Sequence, residues 1–175
     1  MKNLLIQALK QTDTVVLDHG TGARLSRELV ELIAEILGDT YLGTMEDSAL
    51  LDLPSRQIAF TTDSFVVTPL IFGNGDIGKI AVCGTVNDLA VSGARPLYLT
   101  LSLIIEDGMP ISELVTVIES VRDTAVAADV KIVAGDTKVV GKGEADRLFI
   151  NTAGVGVLEH SPVSIKNVRP GQKII

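Results

Sequence analysis

The chain has 175 residues, of which 46% are hydrophobic and 3% aromatic, with no Trp; it can bury a core and is not intrinsically disordered. Fifteen Lys and Arg against 22 Asp and Glu give a net charge of −7, which argues against a phosphate-backbone partner, as the scarce aromatics argue against base stacking, so nucleic acid is set aside. One cysteine, Cys83, allows no intrachain disulfide, no apolar run reaches the ~18–20 residues of a membrane span, and residues 1–11 turn polar too soon for a signal peptide, so the expected location is the cytoplasm.

In chain order, residues 14–17 form a β-branched run that predicts a strand. It leads into His19-Gly20-Thr21-Gly22, directly ahead of an amphipathic helix. Leu25, Leu29, Leu32, Ile33 and Ile36 recur there at spacings of three and four, and Gly38 is placed to end it. Residues 57–62 predict a strand running into Asp63-Ser64, with 65–67 as its continuation. Residues 76–94 predict a helix rich in Ala, Gly, Cys and Ser, small enough for close approach to a sheet, ended by Arg95-Pro96. A strand follows over 97–105. Ser112 then caps a second helix, with Leu114, Val115, Ile118, Val121, Ala125 and Val126 as its apolar stripe. Residues 130–134 and 148–158 predict two more strands, with a turn at 141–144. This is an α+β chain (mixed α/β), a mixed sheet covered by helices. Residues 1–160 read as one domain. Residues 161–175 read as a linker and the start of another, since Arg169-Pro170-Gly171 feeds a strand that stops unfinished.

Two phosphate-loop patterns fail on inspection. Gly73-Asn74-Gly75-Asp76-Ile77-Gly78 fits G-x-G-x-x-G, but no acid for a ribose appears before Glu106. The same stretch runs into Gly78-Lys79-Ile80, where a P-loop needs Ser or Thr. A tight turn with Asp76 as helix cap accounts for it. The stronger signal is a set of carboxylates at turns and strand ends: Asp47, Asp63, Asp88 and Asp136. Asp63 and Asp136 each follow an apolar β-like run, at the edge where α/β sites gather ligands. Asp88 sits in the small-residue helix, where a buried carboxylate needs a partner. Converging carboxylates with oxygen-only ligation suit Mg²⁺ bridging to phosphate. Backbone N–H groups at His19-Gly20-Thr21-Gly22 suit a phosphate. Cys83 reads as a small core residue.

His19-Gly20-Thr21-Gly22, Glu46-Asp47-Ser48-Ala49, Phe60-Thr61-Thr62-Asp63-Ser64, the run from Gly78 through Thr85-Val86-Asn87-Asp88 to Ala94, and Gly135-Asp136-Thr137-Lys138-Val139-Val140 together resemble the HypE-type hydrogenase maturation family, within the PurM-like (AIR synthase related) superfamily. The resemblance implies a PurM-like N-terminal domain whose sheets pair in a homodimer, with ATP near the interface. It implies an ATP-dependent carbamoyl dehydratase, which converts a C-terminal cysteine thiocarboxamide to a thiocyanate for the cyanide ligands of [NiFe]-hydrogenase. Asp47, Asp63, Asp88 and Asp136 would then hold Mg²⁺–ATP, with Gly20, Thr21, Gly22, Asn87 and Thr137 on the nucleotide. Lys138 would be the catalytic residue. The implied partners are the carbamoyltransferase HypF and a HypC–HypD complex. The glycine loop departs from the family's Gly-Ser-Gly-Gly, reading Gly-Thr-Gly-Ala with Ala23 last. The family's C-terminal half, with its acceptor cysteine, is not in this sequence, so the fragment is expected to be inactive alone. A nucleotide-binding and dimerisation module, or a thiamine-phosphate kinase or aminoimidazole-ribotide synthase, stays open as an alternative.

Overall fold

A computed structural model describes residues 13–43, 48–54 and 57–173. Among the described residues three α-helices, α1 (Arg24–Leu37), α2 (Ile77–Val91) and α3 (Ile111–Ala127), accompany six strands. These are β1 (Ile58–Phe65), β2 (Ile71–Phe72), β3 (Gly75–Asp76), β4 (Ala94–Glu106), β5 (Lys131–Val140) and β6 (Leu148–Leu158). The main sheet has the order β1-β6-β4-β5; β4 and β5 run parallel and the other neighbours antiparallel. It is the mixed sheet the sequence predicts. β2 and β3 form a small hairpin closed by Gly73-Asn74, after which Asp76 caps α2 by accepting from the Lys79 N–H at 3.0 Å. The apparent nucleotide motif is that turn.

One face of the sheet carries the core. Leu99, Leu101, Leu103 and Ile105 of β4 and Leu148 and Ile150 of β6 are buried at alternate positions, as the period of two requires. Ile77, Ala81 and Val82 of α2 and Leu114, Val117, Ile118 and Val121 of α3 join them in one cluster. Each such fully buried aliphatic side chain stabilises the fold by about 1.5–3 kcal/mol. The small residues of α2 are used for close packing. A Cβ on Gly78 would lie 2.5 Å from the Val117 carbonyl oxygen, so α2 and α3 touch backbone to backbone there. Among the described residues no helix lies over the opposite face, which exposes Phe60 (66%), Ile58 and Ile104.

Four expectations are corrected. The strand at 14–17 is reduced to a bridge between Thr14 and Pro110, because the Val16 N–H is taken by the His19 side chain and the chain turns into a 3-10 helix, Leu17–Gly20. α2 ends at Ser92 and Gly93 (φ +83°), and Arg95-Pro96 already belong to β4, where a register shift follows the proline that cannot donate. α3 is capped by Pro110 rather than Ser112, since the Ile111 N–H bonds to the Asp13 carbonyl at 3.1 Å. β5 runs six residues beyond its predicted end, because pairing with β4 continues from Gly135↔Leu101 to Val140↔Glu106.

Candidate functional site

The glycine loop is built before any ligand arrives. Gly22 lies at φ +80°, a conformation an L side chain strains to adopt. Gly20 packs on β5 so closely that a Cβ would sit 3.0 Å from the Val139 backbone nitrogen. Thr21 Oγ1 donates to the Asp18 carbonyl at 3.0 Å, and the Gly22 N–H donates to Ser26 Oγ at 2.8 Å. Thr21 therefore braces the loop. Ala23, where the family has glycine, is exposed at φ −91° and needs no glycine. It begins α1 without a side-chain cap, so first-turn N–H groups of α1 remain available.

Between this loop, α1 and β5 lies a cleft of about 480 Å³, lined by Gly22 and Ser26 on one side and Gly135, Asp136 and Thr137 on another. Asp136 and Lys138 are two residues apart on β5; Lys138 Nζ lies 3.6 Å from Asp136 Oδ1, with both side chains more than half exposed. Asp136 pairs with Ser102 in mid-strand, rather than at the strand end the sequence suggests.

A second cluster sits at the other edge, between β1 and α2. Asp63 is half-buried and accepts from the Ser64 N–H at 3.0 Å. Asp88 is exposed, against expectation, and accepts from Thr61 Oγ1 at 3.1 Å. Its exposure follows from its place on the α2 surface beside β1, an edge strand. Gly84, one helical turn earlier on the same face, would place a Cβ 3.4 Å from Asp63 Oδ2. Asp63 and Asp88 thus lie along one β1–α2 seam, where the Phe65 ring packs onto Gly84. Asn87 is exposed next to Asp88.

The structure does not bring the two clusters together within one chain. Asp63 is on β1 and Asp136 on β5, with β6 and β4 between them. Three strand spacings amount to roughly 14 Å. Among the described residues no group of three or more His, Cys, Asp or Glu could hold a metal ion. Asp47 lies outside the described residues. The single-edge convergence expected for Asp63, Asp88 and Asp136 is therefore not met, because the sheet order places β1 and β5 at opposite edges. Two carboxylates with oxygen-only chemistry still fit a Mg²⁺ that arrives on phosphates, since that ion keeps waters and takes one or two carboxylates.

Sequence reasoning missed Asn151. Its Nδ2 donates to the Asp63 carbonyl at 2.8 Å and to Ser64 Oγ at 3.0 Å, fixing the end of β1 that carries Asp63. An amide interrupting the apolar run of β6 was the available signal. It also missed Glu106, whose carboxylate accepts from the Gly143 and Arg147 N–H groups. Those bonds, Gly143 foremost, hold its pKa below the ordinary glutamate value.

The family model for the AIR synthase related protein, N-terminal domain, matches residues 45–158. Carbamoyl dehydratase HypE of Escherichia coli K12 is 46% identical over 152 residues, covering 83% of this chain and 45% of that protein. A crystal structure of the hydrogenase maturation protein HypE in complex with ATP superposes with a TM-score of 0.87 at 44% identity, over 90% of this chain and 48% of that one. A HypE–HypF complex matches with a TM-score of 0.65 at 53% identity, over 82% of this chain and 46% of that one. The chain spans about half the length of the curated relatives it matches.

Proposed function

We propose, since the chain belongs to the AIR synthase related family, that it is the ATP-binding part of a HypE-type carbamoyl dehydratase. Residues 1–160 would form the nucleotide-binding domain, and 161–175 a linker and the start of a further one. The observation that carries the reading is the glycine loop facing Asp136-Thr137 across one cleft, on a backbone close to that of an ATP-bound HypE.

The reaction would run in two steps. The thiocarboxamide oxygen attacks the γ-phosphorus, the bond to ADP breaks, and an O-phosphorylated imidate forms with loss of one proton. Loss of phosphate and the second N–H proton then leaves S–C≡N. Such transfers need positioning and charge neutralisation more than covalent help from the protein. The loop and the α1 N–H groups would hold phosphoryl oxygens. Asp63 and Asp88 would hold Mg²⁺, which neutralises charge on the phosphates when bound. Lys138 stands beside Asp136, which lines the cleft, so its role would be a cation for phosphoryl oxygen.

Cys83 is half-buried in α2, and the acceptor thiol of the proposed reaction would be a C-terminal cysteine. The uncovered sheet face, with Phe60, Ile58 and Ile104 exposed, supports a homodimer. An assembly that sets the β1 edge of one copy beside the β5 edge of its twin would complete the carboxylate set. HypF and a HypC–HypD complex would be the protein partners. The cytoplasm would be the location; none of the described helices is long and apolar enough to cross a membrane.

The test is mass spectrometry on the full-length gene product carrying a carbamoylated cysteine. With MgATP, the cysteine peptide should lose the mass of one water. A peptide that keeps its mass while ATP is bound would leave the domain a nucleotide-binding and dimerisation module.

A further inference from the structure

Thr85 of α2 and Thr152 of β6 are wholly buried, and their hydroxyls bond to each other. Thr152 Oγ1 also donates to the Ala81 carbonyl at 3.3 Å. A hydroxyl has one proton. With that of Thr152 spent on Ala81, the proton of the bridge comes from Thr85. The bridge ties one turn of α2 to one position on the sheet. Thr152 is the cross-strand partner of Asp63, and such partners share a face of the sheet. Asp63 therefore faces α2, where a Cβ on Gly84 would lie 3.4 Å from its Oδ2. One helical turn beyond Gly84, about 6 Å along the axis, Asp88 accepts from Thr61 Oγ1 at 3.1 Å. Thr85 falls between Gly84 and Asp88 on the helix, so the bridge joins the two elements where their carboxylates stand.

Shape alone does little to fix that register. α2 meets the strands through Ala81 and Gly84, and β6 meets α2 through Gly154, where a Cβ would lie 2.6 Å from Thr85 Cγ2. Such small residues offer few knobs, and apolar contact has no direction. A hydrogen bond does have direction, and a buried hydroxyl parted from its partner is costly. We infer that the Thr85–Thr152 bridge is a positioning device for the metal that accompanies the nucleotide: it holds α2 at the register that sets Asp88 beside Asp63. The inference rests on the nucleotide reading above. Both threonines lie too deep to touch the ligand and act through the two carboxylates, as outer partners of metal ligands do.

The test is calorimetry on the protein with ATP, once with Mn²⁺ as a probe for the Mg²⁺ site and once with EDTA, for wild type, Thr85→Ser and Thr85→Ala. Both variants drop the methyl and only serine keeps the hydroxyl, so the pair isolates the bridge. Thr85→Ala should bind Mn²⁺–ATP about tenfold more weakly than Thr85→Ser, and Thr85→Ser should stay close to wild type. With EDTA the three proteins should behave alike. Equal Mn²⁺–ATP affinity in Thr85→Ser and Thr85→Ala overturns the inference and leaves the nucleotide reading standing. A loss in Thr85→Ala that is as large with EDTA also overturns it, because the hydroxyl would then support the fold and not the metal. A wild type that does not bind Mn²⁺–ATP overturns the nucleotide reading and the inference with it. If Thr85→Ala does not fold, the double change to alanine at Thr85 and Thr152, which strands no hydroxyl, decides against the double change to serine by the same comparison.

Discussion

Lys138 carries the most specific chemical expectation, and its surroundings divide two roles. A base that takes the thiocarboxamide proton would need desolvation, whereas a cation needs only reach. Its side chain is 65% exposed, and its ammonium lies 3.6 Å from Asp136 Oδ1. In the full-length protein, Lys138→Arg keeps the charge and removes any base, since guanidinium does not deprotonate. The account predicts that Lys138→Arg retains much of the dehydration rate, while Lys138→Ala weakens ATP binding. Loss of dehydration in Lys138→Arg with ATP affinity intact would make Lys138 a base. Residue type at a fixed spacing singles out the loop glycines, Asp63, Asp136 and Lys138 in the sequence, and the structure gives the glycines their backbone reason, Gly22 at φ +80° and Gly20 against Val139. Asp88 was misjudged as buried because a helix of small residues resembles a core element from every side, and only the tertiary structure shows which face β1 leaves open. Asn151 acts through partners 88 residues away in sequence, which no local pattern records.

The elements were more legible than their ends. The period of α1 and the apolar run of β6 located both elements, and Gly38 ends α1 at φ +53° as read. The misread ends were those set by distant backbone: Asp13 for α3 and β4 for β5. Packing between elements gives two predictions. Gly78→Ala would drive a Cβ to 2.5 Å from the Val117 carbonyl; overpacking of this kind costs about 1–3 kcal/mol. Urea denaturation should show that loss, and an unchanged midpoint would contradict backbone contact between α2 and α3. The loop between β5 and β6 is held by Glu106 through the Gly143 and Arg147 N–H groups, while Arg147 pairs with Glu113 at 2.8 Å. Because folding lowers the Glu106 pKa, its contribution is fully present above the unfolded value near ~4.3 and is lost as pH falls through the folded value. Glu106→Gln should therefore melt below wild type at neutral pH, with the gap closing in acid. A gap that persists below pH ~3 would contradict the assignment.

At the scale of the whole molecule, the sheet order decides what one chain can do. Asp63 and Asp136 lie on opposite edge strands, and among the described residues no helix covers the face bearing Phe60. The sequence carried the family and the mixed sheet, yet not this separation, because strand order is set by pairings between segments far apart in the chain. The account predicts a dimer of the 18.5 kDa chain by analytical ultracentrifugation at micromolar concentration, where a clean monomer would count against it. It also predicts complementation. Asp63→Asn and Asp136→Asn, each defective alone, should recover ATP binding when mixed and allowed to exchange, since one site in each mixed dimer then keeps both carboxylates. Mixed samples that stay as weak as either variant would mean that each site is built within one chain.

The central claim is nucleotide binding by the loop and the carboxylates, and calorimetry with MgATP on wild type, Asp63→Asn and Asp136→Asn tests it most directly. The account predicts saturable binding to wild type and a loss of at least tenfold, about 1.4 kcal/mol, in each variant. Wild-type affinity in both variants would contradict it and leave these aspartates as strand and turn residues.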